Sequence, residues 1–393
     1  MAVYKNSTPL TNIGGVSLYM KDVVDACLMG RLNLFLQGDT GSGKTQLAAD
    51  TMTYFPNESL FILGRNDMDT RELFQQVNLD KLRTGKSSSE IKELTDAVNS
   101  KLIIVDELPN CVPAVRAQLF NLFDGYIEIS GKKYSIGDDY SVGIATGNIG
   151  QRFTESSNDL GRALKDRMHV IIDVDHFSPQ PSDTLEILAG NTNPRVEFSD
   201  SVENPLNIYE EYQKVSQQPV PLEKLIIANY LIHGLDYCNN GASKRKMKES
   251  WPNAVDNHSQ GSDEALVLPV SMRAAKSIIR LSQSFDEISK RNGGNPDAKE
   301  SMLQAYKFVS AYSGILNDAM VQANYNGDKY SALDSIILST ETQFEEQKEN
   351  ISAGIYMVES QKSNEKVLNN FNGRWEFMKD TLNSLLEQNL GEK

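Results

Sequence analysis

Eight consecutive residues, Gly38-Asp39-Thr40-Gly41-Ser42-Gly43-Lys44-Thr45, limit what this chain can fold into more than any other feature. They fill every fixed position of the pattern G-x-x-x-x-G-K-[ST]. Glycines at this spacing let backbone N–H groups turn inward with no Cβ in the way, and a helix opening near Lys44 adds its positive end. Such a loop needs a buried strand before it and a helix after it. The apolar run Leu32 to Leu36 supplies the first, and Gln46 to Tyr54, with apolar residues at helical spacing, supplies the second.

Comparable short apolar runs recur at Leu60 to Leu63, Leu102 to Val105, Val142 to Ala145 and Val170 to Val174. With the first they predict five buried strands. Helical segments such as Val112 to Phe123 lie between them, so an α/β fold follows: a parallel five-stranded sheet flanked by helices. Tyr126-Ile127-Glu128-Ile129, then Ser130-Gly131, then Lys133 to Ile136 reads as a hairpin inserted before the fourth strand. After Asp175 the pattern changes, with Pro179, Pro181 and Ser182 followed by helical periodicity. The expected division is an α/β core at 1–177, an all-helical domain at 178–335, and a helical extension at 336–393. Lys224 to Tyr237 and Met272 to Ile288 read as amphipathic helices, separated by a polar segment from Asn239 to Glu264 that reads as a surface loop. Leu368, Phe371, Trp375, Met378, Leu382 and Leu385 alternate at spacings of three and four, which predicts one helix packing on that domain.

The eight-residue loop is a phosphate site. Gly38, Asp39, Thr40, Gly41, Ser42, Gly43, Lys44, Thr45 and the next helical residue, Gln46, form the expected nucleotide contact. Lys44 supplies charge to the β- and γ-phosphates, and the Thr45 hydroxyl is a ligand for Mg2+, which prefers oxygen donors. The complementary acids stand at the end of Leu102-Ile103-Ile104-Val105-Asp106-Glu107. Asp106 is expected to hold Mg2+ through water, and Glu107 to orient and deprotonate the attacking water. No N-K-x-D tetrapeptide of the kind that reads guanine occurs, so the expected nucleotide is ATP. Asn148 ends the next strand, where a polar side chain could reach the γ-phosphate or the lytic water, or serve simply as a turn residue.

The order of phosphate loop, Asp106-Glu107 strand end, hairpin, Ala145-Thr146-Gly147-Asn148 and Ala163-Leu164-Lys165-Asp166-Arg167-Met168 resembles the MoxR-like branch of the AAA+ ATPases. The resemblance covers about residues 12 to 178 well and the helical region to about 330 more loosely. It implies an AAA+ core followed by a helical lid. It makes Asn148 the sensor-1 residue and Arg167 the arginine finger that reaches a neighbouring subunit's ATP, with Arg162 the second choice. The competing role for Arg167 is a salt bridge to a nearby acid. Ser271-Met272-Arg273 is similar to the start of the family's sensor-2 helix, which makes Arg273 a γ-phosphate contact in cis. A homo-hexamer is usual in this branch. Its clients include proteins with a von Willebrand factor A domain and metal-cofactor enzymes that need maturation. Two departures stand out. Leu108-Pro109-Asn110 follows Glu107 where an arginine usually lies nearby, leaving Arg116 as a substitute. Lys244, Arg245, Lys246 and Lys248 have no family counterpart, and read as a solvated loop ahead of a contact for nucleic acid or an acidic partner.

Charge separates the remaining functions. Fifty-three acidic against thirty-nine basic residues give a net charge of −14, which repels phosphate backbones and disfavours a general nucleic-acid binder. The alternatives to a protein remodeller are a nucleic-acid-stimulated motor and a slow, nucleotide-controlled scaffold. Cys27, Cys111 and Cys238 form no C-x-x-C pair, and His169, His176, His233 and His258 have no metal-ligand spacing. With no leader pattern and no apolar stretch of about 18 residues, a cytoplasmic protein with no membrane span is expected.

Overall fold

Strands covered on both faces must be apolar on both. In the computed structural model, which describes residues 3–67, 74–77, 92–129, 131–148, 167–190, 193–199, 206–238, 243–246 and 263–391, the five apolar runs form one parallel sheet. Its strands are β1 (Leu34–Gln37), β2 (Ser59–Leu63), β3 (Leu102–Asp106), β4 (Val142–Gly147) and β5 (Val170–Asp173). They lie in the order β5-β1-β4-β3-β2. Leu34, Phe35, Ile103, Ile104, Ile144 and Val170 are fully buried, as central strands require. The register brings the carboxyl ends level: Gly147 lies beside Gln37, Ala145 beside Val105, and Leu63 beside Asp106.

Helix α1 (Lys44–Asp50) opens directly from the glycine loop and tightens into a 3-10 turn at Thr51–Tyr54. Helix α2 (Pro113–Phe123) starts with proline at its first position, where the missing N–H has no helical acceptor to lose. The hairpin expected from the sequence is present, with Tyr126–Ile129 antiparallel to Lys132–Ser135. Two other small sheets carry no comparable sequence signal: Pro9–Ile13 with Val16–Tyr19, and Gln75–Val77 with Lys92–Leu94.

The chain divides into two compact units, Met1–Asn12 with Ser17–Ser216, and Ile13–Val16 with Gln217–Lys393. Sheet strands stop near the expected change at residue 178, but residues up to Ser216 belong with the first unit. An aromatic cluster accounts for the last of these. Tyr209 and Tyr212 pack edge-on against the buried Tyr140, at 5.9 and 4.9 Å between ring centroids.

The second unit contains helices α3 (Leu222–His233), α4 (Met272–Arg291), α5 (Ala298–Ser310), α6 (Lys329–Glu346) and α7 (Phe377–Gly391). Ser271 caps α4 by accepting the Ala274 N–H, a standard N-cap bond. The expected single C-terminal helix is instead broken. A short helix (Glu365–Asn369) and a 3-10 turn (Gly373–Trp375) precede α7, and Gly373 adopts φ +58° between them. The apolar stripe still packs within the unit: Phe371, Trp375, Met378 and Leu382 are buried, and the Trp375 ring lies 4.7 Å from Tyr230 and 5.0 Å from Phe344.

Most of the polar segment from Asn239 to Glu264, including Lys248, lies outside the described residues. Within the described part, Lys244 is no solvated loop residue. It is 1% exposed and donates to the carbonyls of Asp263 and Val267, at 2.8 and 2.9 Å. Arg245 donates to the Val270 carbonyl. Both find backbone acceptors because the segment folds back against residues 263–270, a contact that sequence spacing does not reveal. Among the described residues no helix is long and apolar enough to cross a membrane.

Candidate functional site

Leu47 N–H bonds to the Gly43 carbonyl at 2.9 Å, so the N–H groups of Lys44, Thr45 and Gln46 precede the first helical acceptor and are left for a ligand. Gly43 takes φ +84° at the helix start, and the Tyr4 ring lies 3.1 Å from where a Cβ would project. A side chain there would meet both backbone strain and the ring. The helix is braced below the loop as well. Asp50, fully buried, accepts from the N–H groups of Val3 and Tyr4 at 2.9 and 2.8 Å and from the Gln46 amide at 2.7 Å. The Gln46 side chain also exchanges two hydrogen bonds with the backbone of Glu197, so its main chain rather than its amide faces the phosphate role expected of it.

Lys44 is 5% exposed and folds back on its own loop. Its Nζ donates to the carbonyls of Gly38 at 3.0 Å and Asp39 at 2.6 Å. Burial pushes its pKa below the ordinary lysine value, against the pull of Glu107, Asp175, Asp39 and Asp106. Asp175, just past β5, accepts the Asp39 N–H at 2.6 Å and so holds the loop's entry.

The predicted acids stand opposite. Asp106 ends β3 and accepts at Oδ1 from two hydroxyls, Thr45 at 2.9 Å and Thr146 at 2.6 Å. Glu107 follows in the left-handed region, φ 56° and ψ 41°, a conformation that costs a non-glycine residue about 1–3 kcal/mol. Two bonds hold it there: its N–H donates to Thr146 Oγ1 at 3.1 Å, and its carbonyl accepts from the Asn110 N–H at 2.9 Å. Asn148 reaches the loop from β4, donating from Nδ2 to Thr40 Oγ1 at 3.3 Å, while its Oδ1 is buried without a hydrogen-bond partner among the described residues. Loop, acids and Asn148 therefore meet at the carboxyl ends of β1, β3 and β4, where open parallel sheets place their ligands.

Arg167 does not join this place. Arg167 Nε pairs with Asp124 Oδ2 at 2.9 Å, and its guanidinium lies over the Phe120 ring at 5.3 Å. Arg162 lies outside the described residues. Arg273 is exposed at the start of α4, in the second unit.

Three further participants have no role that the sequence patterns assign. Thr146 lies within Ala145-Thr146-Gly147-Asn148, and only the pairing of Ala145 with Val105 in the folded sheet brings it beside the acids. Asp175 follows Asp173 at the end of β5, a strand-end acid like Asp106. Tyr4 gives no signal, because only the folded N-terminal segment brings it to Gly43.

Residues 33–168 match the AAA domain of the dynein-related subfamily. No curated protein sequence matches the chain. Among solved structures, a candidate ATPase from Cytophaga hutchinsonii aligns with a TM-score of 0.55 at 17% identity, covering 82% of this chain and 90% of that one. A full-length MCM homolog from Methanopyrus kandleri aligns with a TM-score of 0.47 at 13% identity, covering 75% of this chain and 55% of its own. The first of these likenesses shows a shared fold.

Proposed function

We propose that this chain, which carries an AAA domain at residues 33–168, hydrolyses ATP at the interfaces of a ring and uses the energy to remodel a protein partner. The observation that carries the proposal is the convergence of Lys44, Thr45, Asp106 and Glu107 at neighbouring strand ends. A hard divalent cation takes oxygen ligands, and the Thr45 hydroxyl beside the Asp106 carboxylate is such a set, so the residues fit Mg2+. Bound there, Mg2+ would neutralise phosphate charge. The N–H groups of Lys44, Thr45 and Gln46 and the Lys44 ammonium bind and orient the phosphates. Glu107 is one residue past Asp106 and half-buried, suited to accept a proton from the attacking water. Asn148 serves as the sensor of the γ-phosphate, with its unpaired buried Oδ1 as the support for that role.

Arg167 is the proposed finger in trans, with Arg162 the second candidate and Arg273 a contact in cis from the helical lid. Leaving Asp124 is cheap for Arg167, since a partly exposed pair contributes about 1 kcal/mol or less. By the resemblance to the MoxR-like branch, the assembly is a hexamer and the client a protein such as one with a von Willebrand factor A domain. Steady-state ATP hydrolysis across a range of protein concentrations tests the shared site. Specific activity is expected to rise with concentration. Glu107→Gln and Arg167→Ala should each be inactive alone and regain hydrolysis when mixed. Activity independent of concentration, with Arg167→Ala at the wild-type rate, would overturn the ring mechanism. Stimulation by DNA rather than by protein would overturn the remodelling role.

A further inference from the structure

A threonine hydroxyl has one proton to give and two lone pairs to offer. At Thr146 the structure uses both capacities on the two acids. The 2.6 Å contact to Asp106 Oδ1 takes the proton, because a carboxylate offers only acceptors, and a lone pair of the same oxygen then receives the Glu107 N–H at 3.1 Å. Thr146 is fully buried, so water does not compete for either bond. Its hydroxyl therefore spans two strand ends, β4 carrying Asn148 and β3 carrying the acids. A second close approach ties the same ends together: a Cβ on Gly147 would lie 2.3 Å from Cδ of Pro109, in the turn after Glu107.

The Thr45 hydroxyl donates to the same Asp106 oxygen at 2.9 Å. With two donors on Oδ1, the carboxylate cannot rotate without breaking one of them, and Oδ2 is the oxygen left to face a cation's water. Of the two bonds that hold the Glu107 backbone in its left-handed conformation, the one across to β4 is accepted by the Thr146 hydroxyl.

We infer that Thr146 is a positioning residue that orients Asp106 through its carboxylate and Glu107 through its backbone, coupling the strand end that bears Asn148 to the acids. The inference rests on the reading of the site as one for ATP hydrolysis. A purely structural role, in which Thr146 fills a β-branched position in a buried strand, predicts that valine serves equally well.

The test uses the full chain with Thr146→Val, Thr146→Ala and Thr146→Ser. ATP hydrolysis is measured together with ATP binding over a Mg2+ titration, by displacement of a fluorescent ATP analogue. For Thr146→Val the turnover number should fall about ten- to hundredfold, the loss expected when a hydrogen bond to a charged group is removed, with the KM for ATP within about threefold. The Mg2+ concentration that gives half-maximal ATP binding should rise. Thr146→Ser should restore both measures to near wild type. Wild-type values for Thr146→Val, or equal impairment in Thr146→Ser, would overturn the inference by assigning the role to the methyl group or to neither. Should Thr146→Val fail to fold, Thr146→Ala against Thr146→Ser isolates the hydroxyl, and equal turnover in those two overturns it. If the wild type binds ATP without turnover, hydrolysis itself is the failed reading. The Mg2+ titration alone then decides Thr146: a shift with valine that serine reverses supports the role, and no shift overturns it.

Discussion

Lys44 in the first unit and Lys224 in the second are both nearly inaccessible to water, yet their ammonium groups are held in opposite ways. Lys224 donates to the carboxylate of Asp286 at 2.5 Å and to the Ser282 hydroxyl at 3.0 Å. Lys44 donates to loop carbonyls, while Asp106 across the cleft takes its hydrogen bonds from hydroxyls. Burial lowers the pKa of both lysines, so the difference lies not in desolvation but in what balances it. The second unit closes two further cations on carboxylates, Arg374 on Asp263 and Lys307 on Asp334, while its buried Lys244 rests on backbone carbonyls. In the first unit Lys44 stands near Glu107, Asp175 and Asp106 without an ion pair to any of them. Opposite charges left unclosed suit a ligand that carries both signs, such as a phosphate chain with its cation. At the phosphate loop the carboxylates are near yet bound elsewhere, and Lys244, on carbonyls with Asp263 taken by Arg374, shows that this arrangement alone does not mark a site.

The largest expected effect separates the two kinds. Lys44→Met should weaken ATP binding by about 10²- to 10⁴-fold, as follows from losing two charge-assisted hydrogen bonds of about 1.5–3 kcal/mol each. Its melting temperature should hold or rise, because a desolvated cation has been removed. Nucleotide binding and a thermal melt on the same sample check this, and binding retained by Lys44→Met would erase the contrast.

In the second unit the reverse is expected. Asp263→Ala removes the buried partner of the half-buried Arg374 and should destabilise the unit by about 3 kcal/mol, read from urea unfolding. A loss of ATP affinity with unchanged stability would instead move this pair into the nucleotide site. A third substitution sharpens the idea of a closed pair. Asp286→Leu alone leaves Lys224 unpaired, whereas Asp286→Leu combined with Lys224→Met should recover about 1–3 kcal/mol of the loss, the range of coupling between contacting residues. Strictly additive costs would mean that the two charges do not depend on each other.

The smallest effect is a slope with pH. Burial lowers the Lys244 pKa from 10.5 to about 8. Between pH 8 and 10 the unfolded chain holds this proton and the folded chain does not, so the Lys244 contribution makes stability rise with pH in that window. Comparing wild type with Lys244→Met isolates this contribution from other groups, and the variant should lose that part of the rise. Parallel pH profiles would show that Lys244 stays charged in its carbonyl cradle.

The phosphate loop, the Asp106-Glu107 strand end, the five strands and the hairpin at residues 126–135 are all legible in the amino-acid sequence, because each is a short-range pattern. Glycine spacing sets a backbone shape over eight residues, and an apolar run of four or five sets a buried strand. Three features of the second half are not legible there. The apolar spacing from Leu368 to Leu385 fits one helix, but Gly373 at positive φ breaks it while leaving the same stripe packed inside the unit. Lys244 belongs to a polar stretch and reads as solvated, yet two backbone carbonyls remove it from water. Residues 178–216 follow a change in composition, yet Tyr209 and Tyr212 tie their end to Tyr140.

By itself the sequence determined the class of sheet, the glycine loop between strand and helix, and the two adjacent acids at a strand end, since these depend on residue types at fixed local spacing. Tertiary structure alone decided that Thr146 bridges Asp106 and Glu107, that Arg167 meets Asp124, and that Tyr4 closes on Gly43. Each of these joins positions about 40 residues apart, and such a contact is fixed by how strands and loops pack, which no local pattern encodes.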